Sequence, residues 1–109
     1  MIYVIDIDGT ICDKPECRAD GDYETSVPKK DRIEKINALY DEGHTIIYLT
    51  ARGMGRHNNS RTIATHYFRE LTLNQLKEWG CKFHELHLGK PAGDVYIDDK
   101  GINDNDFFN

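Results

Sequence analysis

The chain has 109 residues, a net charge of −5, 39% hydrophobic residues and 10% aromatic residues. This length favours one small domain, and the composition is typical of a compact soluble fold rather than a disordered chain. The acidic balance argues against broad non-specific binding to nucleic acid, which depends on a basic surface. No apolar run approaches the roughly 20 residues that span a bilayer. We therefore expect a cytoplasmic protein without a membrane anchor, and its three cysteines, an odd number, favour reduced thiols.

Residues 1–5 form an apolar run rich in β-branched side chains, which predicts a buried strand. The run ends in two carboxylates one residue apart, Asp6 and Asp8, followed by Gly9 and Thr10. Open α/β sheets bind ligands at the carboxyl ends of their strands, and two carboxylates this close repel each other. The pair indicates either a bound cation or a shared proton, and the simpler alternative is an ordinary acidic turn.

A polar stretch of irregular sequence, residues 11–27, follows the paired acids. A connection this long often serves as a functional flap, so we expect it to lie over the acids as a small cover. Pro28 then opens a predicted helix, and Gly43 ends it. Together with the strand before it and the apolar run after it, this helix predicts a βαβ unit.

The second apolar run, residues 45–50, ends in Thr50 and is followed by Arg52. A right-handed crossover would bring this strand end to the same sheet edge as the first one. Arg52 is a candidate for substrate binding or for pairing with an acid from the flap. Arg56 and His57 lie in the glycine-rich loop that follows, and solvated side chains are the simpler interpretation for both.

The remaining predicted elements are helices 60–70 and 72–79 and strands 83–88 and 94–97. Thr72 and Gln75 fit a capping box for the second of these helices. The last strand ends in Asp98 and Asp99, and Lys90 lies in the loop before it. Four strands with helical crossovers predict an α/β fold: a small doubly wound, Rossmann-like parallel sheet with helices on both faces, in one domain spanning residues 1–109.

Carboxylates from two strand ends form a hard oxygen site, which suits Mg²⁺. Lys90 and Thr50 add donors for an anion. Such a combination favours phosphoryl transfer, in which catalysis is largely positioning and charge neutralisation. One carboxylate can act as the nucleophile, and a second can transfer the proton.

These segments resemble the motifs of the haloacid dehalogenase (HAD)-like superfamily. The matching segments, in the order of the family, are Asp-Ile-Asp-Gly-Thr at 6–10, Leu-Thr-Ala-Arg at 49–52, Lys90, and Asp98-Asp99 after an apolar strand. The intervals between them are too short for a large inserted cap, so the chain is similar to the capless members. Such members act on accessible substrates or let a neighbouring subunit cover the site. A homo-oligomer is therefore one possible assembly of this chain.

The resemblance implies a role for each matching residue. Asp6 would be the nucleophile and Asp8 the general acid and base. Thr50 and Lys90 would hold the phosphoryl oxygens. The implied Mg²⁺ ligands are Asp6, Asp8, Asp98 and Asp99, with Asp99 preferred over Asp98 as the direct ligand of that pair. The implied substrate-binding residues are Gly9, Thr10 and Arg52.

The activity that these roles favour is a Mg²⁺-dependent phosphomonoesterase for a small phosphorylated metabolite, with a sugar phosphate first and a nucleotide second. One alternative is a phosphatase for nucleic-acid 3′ ends, which the open shape allows and the overall acidity disfavours. Another is a non-catalytic Mg²⁺-binding module that is phosphorylated on Asp6 and releases the phosphoryl group slowly.

Overall fold

The computed structural model of the chain describes residues 1–14, 22–55 and 58–109. In chain order its elements are strand β1 (Ile2–Ile5), helix α1 (Lys30–Asp41), strand β2 (Thr45–Thr50), helix α2 (Arg61–Glu78), strand β3 (Glu85–Leu88) and helix α3 (Asp104–Phe107). Among these residues, no helix combines the length and the apolar character that a membrane crossing requires.

The three strands form one parallel sheet in the order β1-β2-β3. Tyr3 pairs with Ile46 across the first interface, and Tyr48 pairs with Leu86 across the second. Parallel neighbours joined by helical crossovers confirm the predicted α/β class. Because the strands are parallel, their carboxyl ends lie at one edge, as expected for Asp6 and Thr50.

One face of the sheet supplies most of the core. Ile46, Tyr48 and Thr50 are buried along β2 and alternate with partly exposed neighbours. On β1, by contrast, Ile2 and Val4 are 68% and 59% exposed. Parallel sheets are usually covered on both faces. In the described part of the chain, one face of the sheet is well covered and the other is partly exposed. The doubly wound form, with helices on both faces, therefore stays a prediction.

Helix α1 lies close to its predicted position. It begins at Lys30, two residues after Pro28, and buries Ile33 and Ile36 against the sheet. Gly43 follows the helix with φ of +96°, a backbone conformation that glycine adopts without a steric penalty. Sequence periodicity was sufficient here because the buried positions recur at helical spacing.

The prediction of two helices at 60–70 and 72–79 was wrong, because α2 runs without a break from Arg61 to Glu78. Ser60 caps it by accepting a hydrogen bond from the amide of Ile63. Thr72 does not cap a second helix, since its hydroxyl donates to the carbonyl of Phe68 one turn earlier. Gln75 also lies within α2, and its side chain is buried.

The prediction of a strand at 94–97 was also wrong, because the sheet formed by the described residues has three strands. Val95, Tyr96 and Ile97 are 74%, 53% and 92% exposed, so their apolar side chains do not pack as in a buried strand. The hydroxyl of Tyr96 accepts from the amide of Gly93 and donates to the carbonyl of Pro91. These contacts tie the segment to the preceding turn.

The loop predicted at 11–27 is described at its two ends, and residues 15–21 lie outside the described part. The two ends are joined next to the first strand, because the amide of Asp13 donates to the carbonyl of Val27 at 3.1 Å and the amide of Val27 donates to Asp13 Oδ1 at 3.0 Å. Its second described part also reaches α2, where Gln75 Nε2 donates to the carbonyl of Tyr23. These ends therefore form the base of the loop beside the paired acids.

Candidate functional site

A cavity of about 380 Å³ lies at the carboxyl ends of β1 and β2. Its lining residues are Asp6, Asp8, Tyr23, Thr50, Ala51, Arg52, Gly55, Lys90, Ala92, Gly93 and Tyr96. The four residues predicted to be catalytic therefore share one cavity. A second cavity, of about 360 Å³, lies between α1 and the end of α2 and contains none of the predicted site residues.

Asp6, the first acid after β1, lies beside Lys90. Its Oδ1 atom lies 3.7 Å from Lys90 Nζ, and its Oδ2 atom accepts from Thr10 Oγ1 at 3.4 Å. Burial raises the pKa of Asp6 above its ordinary value, while the positive charge of Lys90 opposes that rise. A carboxylate that is two-thirds buried and paired with a lysine is suited to act as a nucleophile toward an electrophilic atom such as phosphorus.

Lys90 is positioned by a backbone hydrogen bond and by a contact with an aromatic ring. Its amide donates to the carbonyl of Thr50 at 3.2 Å, which brings the loop after β3 against the end of β2. Its ammonium lies 4.3 Å from the ring centroid of Tyr96, within the range of a cation–π contact. The lysine therefore reaches Asp6 from the loop after β3, next to the carboxylate that the family resemblance pairs with it.

Asp8 pairs with Arg52 in a two-bond arrangement. Arg52 Nε donates to Asp8 Oδ2 at 2.9 Å, and one terminal nitrogen donates to Asp8 Oδ1 at 3.2 Å. The side chain of Arg52 is fully buried, and that of Asp8 is 15% exposed. A charged, bidentate contact with little exposure fixes the orientation of the Asp8 carboxylate.

The remaining N–H groups of Arg52 also have partners. They donate to Thr72 Oγ1 at 3.2 Å, Gln75 Oε1 at 2.5 Å and Ser26 Oγ at 3.4 Å, and the guanidinium lies 5.0 Å from the ring centroid of Tyr23. A guanidinium has five N–H donors, so this set uses all of them. The geometry therefore assigns Arg52 to holding Asp8 and leaves no N–H for the substrate contact predicted from the sequence.

Gly9 and Thr10, the other predicted substrate-binding residues, form the turn after β1. The amide of Gly9 donates to the carbonyl of Cys12, and its φ of +84° favours glycine. Thr10 donates its amide to Ile7 and its hydroxyl to Asp6. Thr50 is nearly fully buried, and its Oγ1 accepts from the amide of Arg52 at 3.1 Å.

Asp98 and Asp99 do not line the cavity with Asp6 and Asp8. Asp98 Oδ1 accepts from the amides of Lys100 and Gly101, which lowers the pKa of its carboxyl below the ordinary value. It therefore stabilises a turn. Within residues 1–14, 22–55 and 58–109, no three acidic, histidine or cysteine side chains come together as metal ligands.

The described residues therefore supply only part of a Mg²⁺ site. Asp6 offers a partly exposed carboxylate, whereas both carboxylate oxygens of Asp8 are engaged by Arg52. Mg²⁺ requires several oxygen ligands in near-octahedral geometry. This donor set does not fit the ion by itself, and a complete site would need oxygens from elsewhere in the chain or from a substrate.

Sequence reasoning missed three residues of the site: Tyr23, Gln75 and Tyr96. Gln75 forms hydrogen bonds with Arg52 and with the carbonyl of Tyr23. Its spacing from Thr72 had instead suggested a capping box. A glutamine on the apolar side of a helix was the available signal, since a buried amide needs partners. Tyr96 was assigned to a strand, and no local pattern indicates that its ring contacts Lys90. Arg56 and His57 lie outside the described residues.

Comparison with known proteins supports the fold and adds no activity. No family model matches the chain, and no curated protein matches it. The crystal structure of an MCSG target protein from Vibrio cholerae matches with a TM-score of 0.86 at 24% sequence identity, covering 98% of this chain and 86% of that one. Identity this low shows a shared fold alone.

Proposed function

We propose that the protein is a phosphomonoesterase in which Asp6 is the nucleophile. The observation that carries the proposal is the arrangement around Asp6: a partly buried carboxylate at a strand end, 3.7 Å from Lys90 and two residues before a second acid. Membership of the HAD-like superfamily, inferred from the motif order, is part of this proposal. So is the doubly wound, Rossmann-like form of the sheet.

The chemistry would proceed in two steps. A carboxylate oxygen of Asp6 attacks the phosphorus, the bond from phosphorus to the leaving oxygen breaks, and Asp8 donates a proton to that oxygen. Water then attacks the phosphorus of the phosphoryl-aspartate, Asp8 takes a proton from the water, and inorganic phosphate leaves with Asp6 restored. Lys90 and Thr50 stabilise negative charge on the phosphoryl oxygens.

A divalent cation, if bound, would supply further neutralisation of the phosphoryl charge. Asp6 and the main-chain carbonyl of Asp8 are the groups of the described site that would hold it. Asp99 is the proposed additional ligand, because Asp98 is engaged by its own turn. Mg²⁺ is the proposed ion, since an all-oxygen set favours a hard cation.

The substrate class that the cavity supports is a small phosphorylated metabolite. A volume of about 380 Å³ lies within the range of small-molecule sites. The lining combines one lysine with two tyrosines, Tyr23 and Tyr96, which suits a phosphate attached to a ring-shaped group. A sugar phosphate is the first choice and a nucleotide the second, in a cytoplasmic protein.

A panel of phosphorylated metabolites, assayed with Mg²⁺ for phosphate release, tests the proposal. Acid-quenched samples are examined by peptide mass spectrometry for a phosphoryl group on Asp6. We expect turnover of a sugar phosphate or nucleotide and a labelled peptide that contains Asp6. Preferential turnover of an oligonucleotide 3′-phosphate would instead indicate an enzyme for nucleic-acid ends.

One observation favours a second candidate, a phospho-acceptor that releases its phosphoryl group slowly. Both carboxylate oxygens of Asp8 accept hydrogen bonds from Arg52, so the acid that should transfer the proton is engaged by a cation. The same mass spectrometric experiment separates the two candidates. A long-lived adduct on Asp6 without net phosphate release would favour the acceptor.

A further inference from the structure

Gln75 joins two parts of the site that are distant in sequence. Its Oε1 atom accepts from Arg52, and its Nε2 atom donates to the carbonyl of Tyr23, each at 2.5 Å. The residue is 6% exposed, although it lies within the last third of α2. A buried amide with both ends engaged fixes the two groups that it contacts.

The contacts on either side of Gln75 extend to the reacting region. On one side, Arg52 holds both carboxylate oxygens of Asp8. On the other side, Tyr23 forms part of the cavity wall, and its hydroxyl accepts from the amide of Gly53 at 3.1 Å. One continuous set of hydrogen bonds therefore runs from the cavity wall to the proton-transferring acid.

We infer that Gln75 is a positioning residue that couples the Tyr23 wall to the orientation of the Asp8 carboxylate. The inference rests on the proposed function, because Asp8 matters only if it transfers a proton. When the wall at Tyr23 is in place, Gln75 holds Arg52, and Arg52 presents Asp8 in one orientation. Displacement of the wall releases the amide that restrains the guanidinium.

Of the two α2 residues that contact Arg52, the geometry shows why Gln75 and not Thr72 couples it to the carbonyl of Tyr23. Both residues accept from the same terminal nitrogen of Arg52. Thr72 turns its own donor back to the carbonyl of Phe68 within α2, whereas Gln75 turns its donor to Tyr23. Thr72→Val is therefore a matched control, since it removes one partner of Arg52 and leaves the contact with Tyr23.

The test compares Gln75→Met with Thr72→Val in the full-length protein. Methionine keeps the length of the side chain and removes both hydrogen bonds. For Gln75→Met we expect kcat to fall roughly 10- to 100-fold, as is typical when a supporting contact to a reacting group is lost. Thr72→Val should lower kcat less than Gln75→Met at a comparable melting temperature, because Asp8 stays coupled to the wall.

Amide exchange measured by NMR provides a readout that does not depend on activity. In Gln75→Met the amide of Gly53 should exchange faster, because Tyr23, whose hydroxyl accepts from that amide, loses the hydrogen bond from Gln75 to its carbonyl. Thr72→Val should leave that exchange unchanged. Unaltered exchange in Gln75→Met, or equal kcat losses in both variants that follow their melting temperatures, would overturn the inference.

Failure of the proposed function would look different. If the wild-type protein released no phosphate from any substrate, the kinetic comparison would have no signal, while exchange at Gly53 would still report the contact between Gln75 and Tyr23. Faster exchange in Gln75→Met would then support the structural coupling without the phosphatase. An active wild type with unchanged kcat in Gln75→Met would contradict the coupling alone.

Discussion

Arg52 and Asp8 form a bidentate pair, with hydrogen bonds of 2.9 and 3.2 Å, in which the arginine side chain has no exposed surface. A buried cation depends on its partner, because removing one member of such a pair leaves the other charge desolvated and uncompensated. The same pair fixes the acid that the proposed reaction uses for proton transfer. Stability and activity are therefore linked at this contact.

Arg52→Met should lower the free energy of unfolding by about 3–5 kcal/mol, because it leaves the largely buried carboxylate of Asp8 without its cation. Lys82→Met is the control, since Lys82 and Asp41 form an ion pair whose side chains are 49% and 58% exposed. That substitution should change stability by less than about 1 kcal/mol. Urea unfolding measures both, and equal losses would contradict the assignment of Arg52.

Asp6→Asn should stabilise the protein at neutral pH. Burial raises the pKa of Asp6, so the folded state retains a proton in a range where the unfolded state has lost it. Folding stability therefore falls as the pH rises from the ordinary value of 3.8 through the raised pKa, and the cost persists above it. Asparagine removes that cost.

Thermal unfolding at a series of pH values checks this sign. The melting temperature of Asp6→Asn should exceed that of the wild type at pH 7.5, and the difference should shrink towards pH 3.8. Asp8→Asn should have the opposite effect, because it removes the charge that compensates Arg52. Destabilisation by both substitutions would show that burial does not dominate at Asp6.

Lys90→Met should move the acidic limb of the pH profile of kcat/KM to higher pH. Attack requires ionised Asp6, and the charge of Lys90 lowers the pKa of that carboxyl. Without the lysine, a higher pH is needed to ionise the nucleophile. Lys82→Met serves as the control and should leave the limb unchanged, since Lys82 pairs with the remote Asp41. A limb that stays in place in both variants would exclude Asp6 as the titrating group.

The proposed metal site distinguishes Asp99 from Asp98. Asp98 accepts two amide hydrogen bonds in its own turn, which an asparagine oxygen can also accept. Asp99→Asn should therefore weaken Mn²⁺ binding by roughly 10- to 100-fold, and Asp98→Asn by less. Titration with Mn²⁺, followed by water proton relaxation, measures both. A stronger effect of Asp98→Asn would reverse the assignment, and no effect of either would remove both residues from the site.

The parts of the site that the sequence predicted are those defined by local pattern. An apolar strand that ends in Asp6 and another that ends in Thr50 are visible as runs of residues, and parallel pairing places both ends at one edge. Lys90 could be added because its loop precedes the next acidic pair. In each case one short segment carried the signal.

The residues that the sequence did not assign depend on contacts between distant segments. Arg52 itself was a candidate, but its partners Thr72 and Gln75 lie 20 and 23 residues further along the chain, and no local pattern links them to it. The segment at 94–97 has the composition of a strand, yet it lies outside the sheet and Tyr96 bonds the adjacent turn. Intrinsic preference for a strand is weak where no neighbouring strand pairs with it.

The nucleophile is the central claim, and phosphate release from an aryl phosphate tests it most directly. The wild type and Asp6→Asn are assayed in parallel, with Mg²⁺ and with the metal removed by a chelator. Wild-type release with Mg²⁺ that disappears in Asp6→Asn is the predicted result, provided that thermal unfolding shows the variant folded. Phosphate release that persists in Asp6→Asn would contradict the role of Asp6.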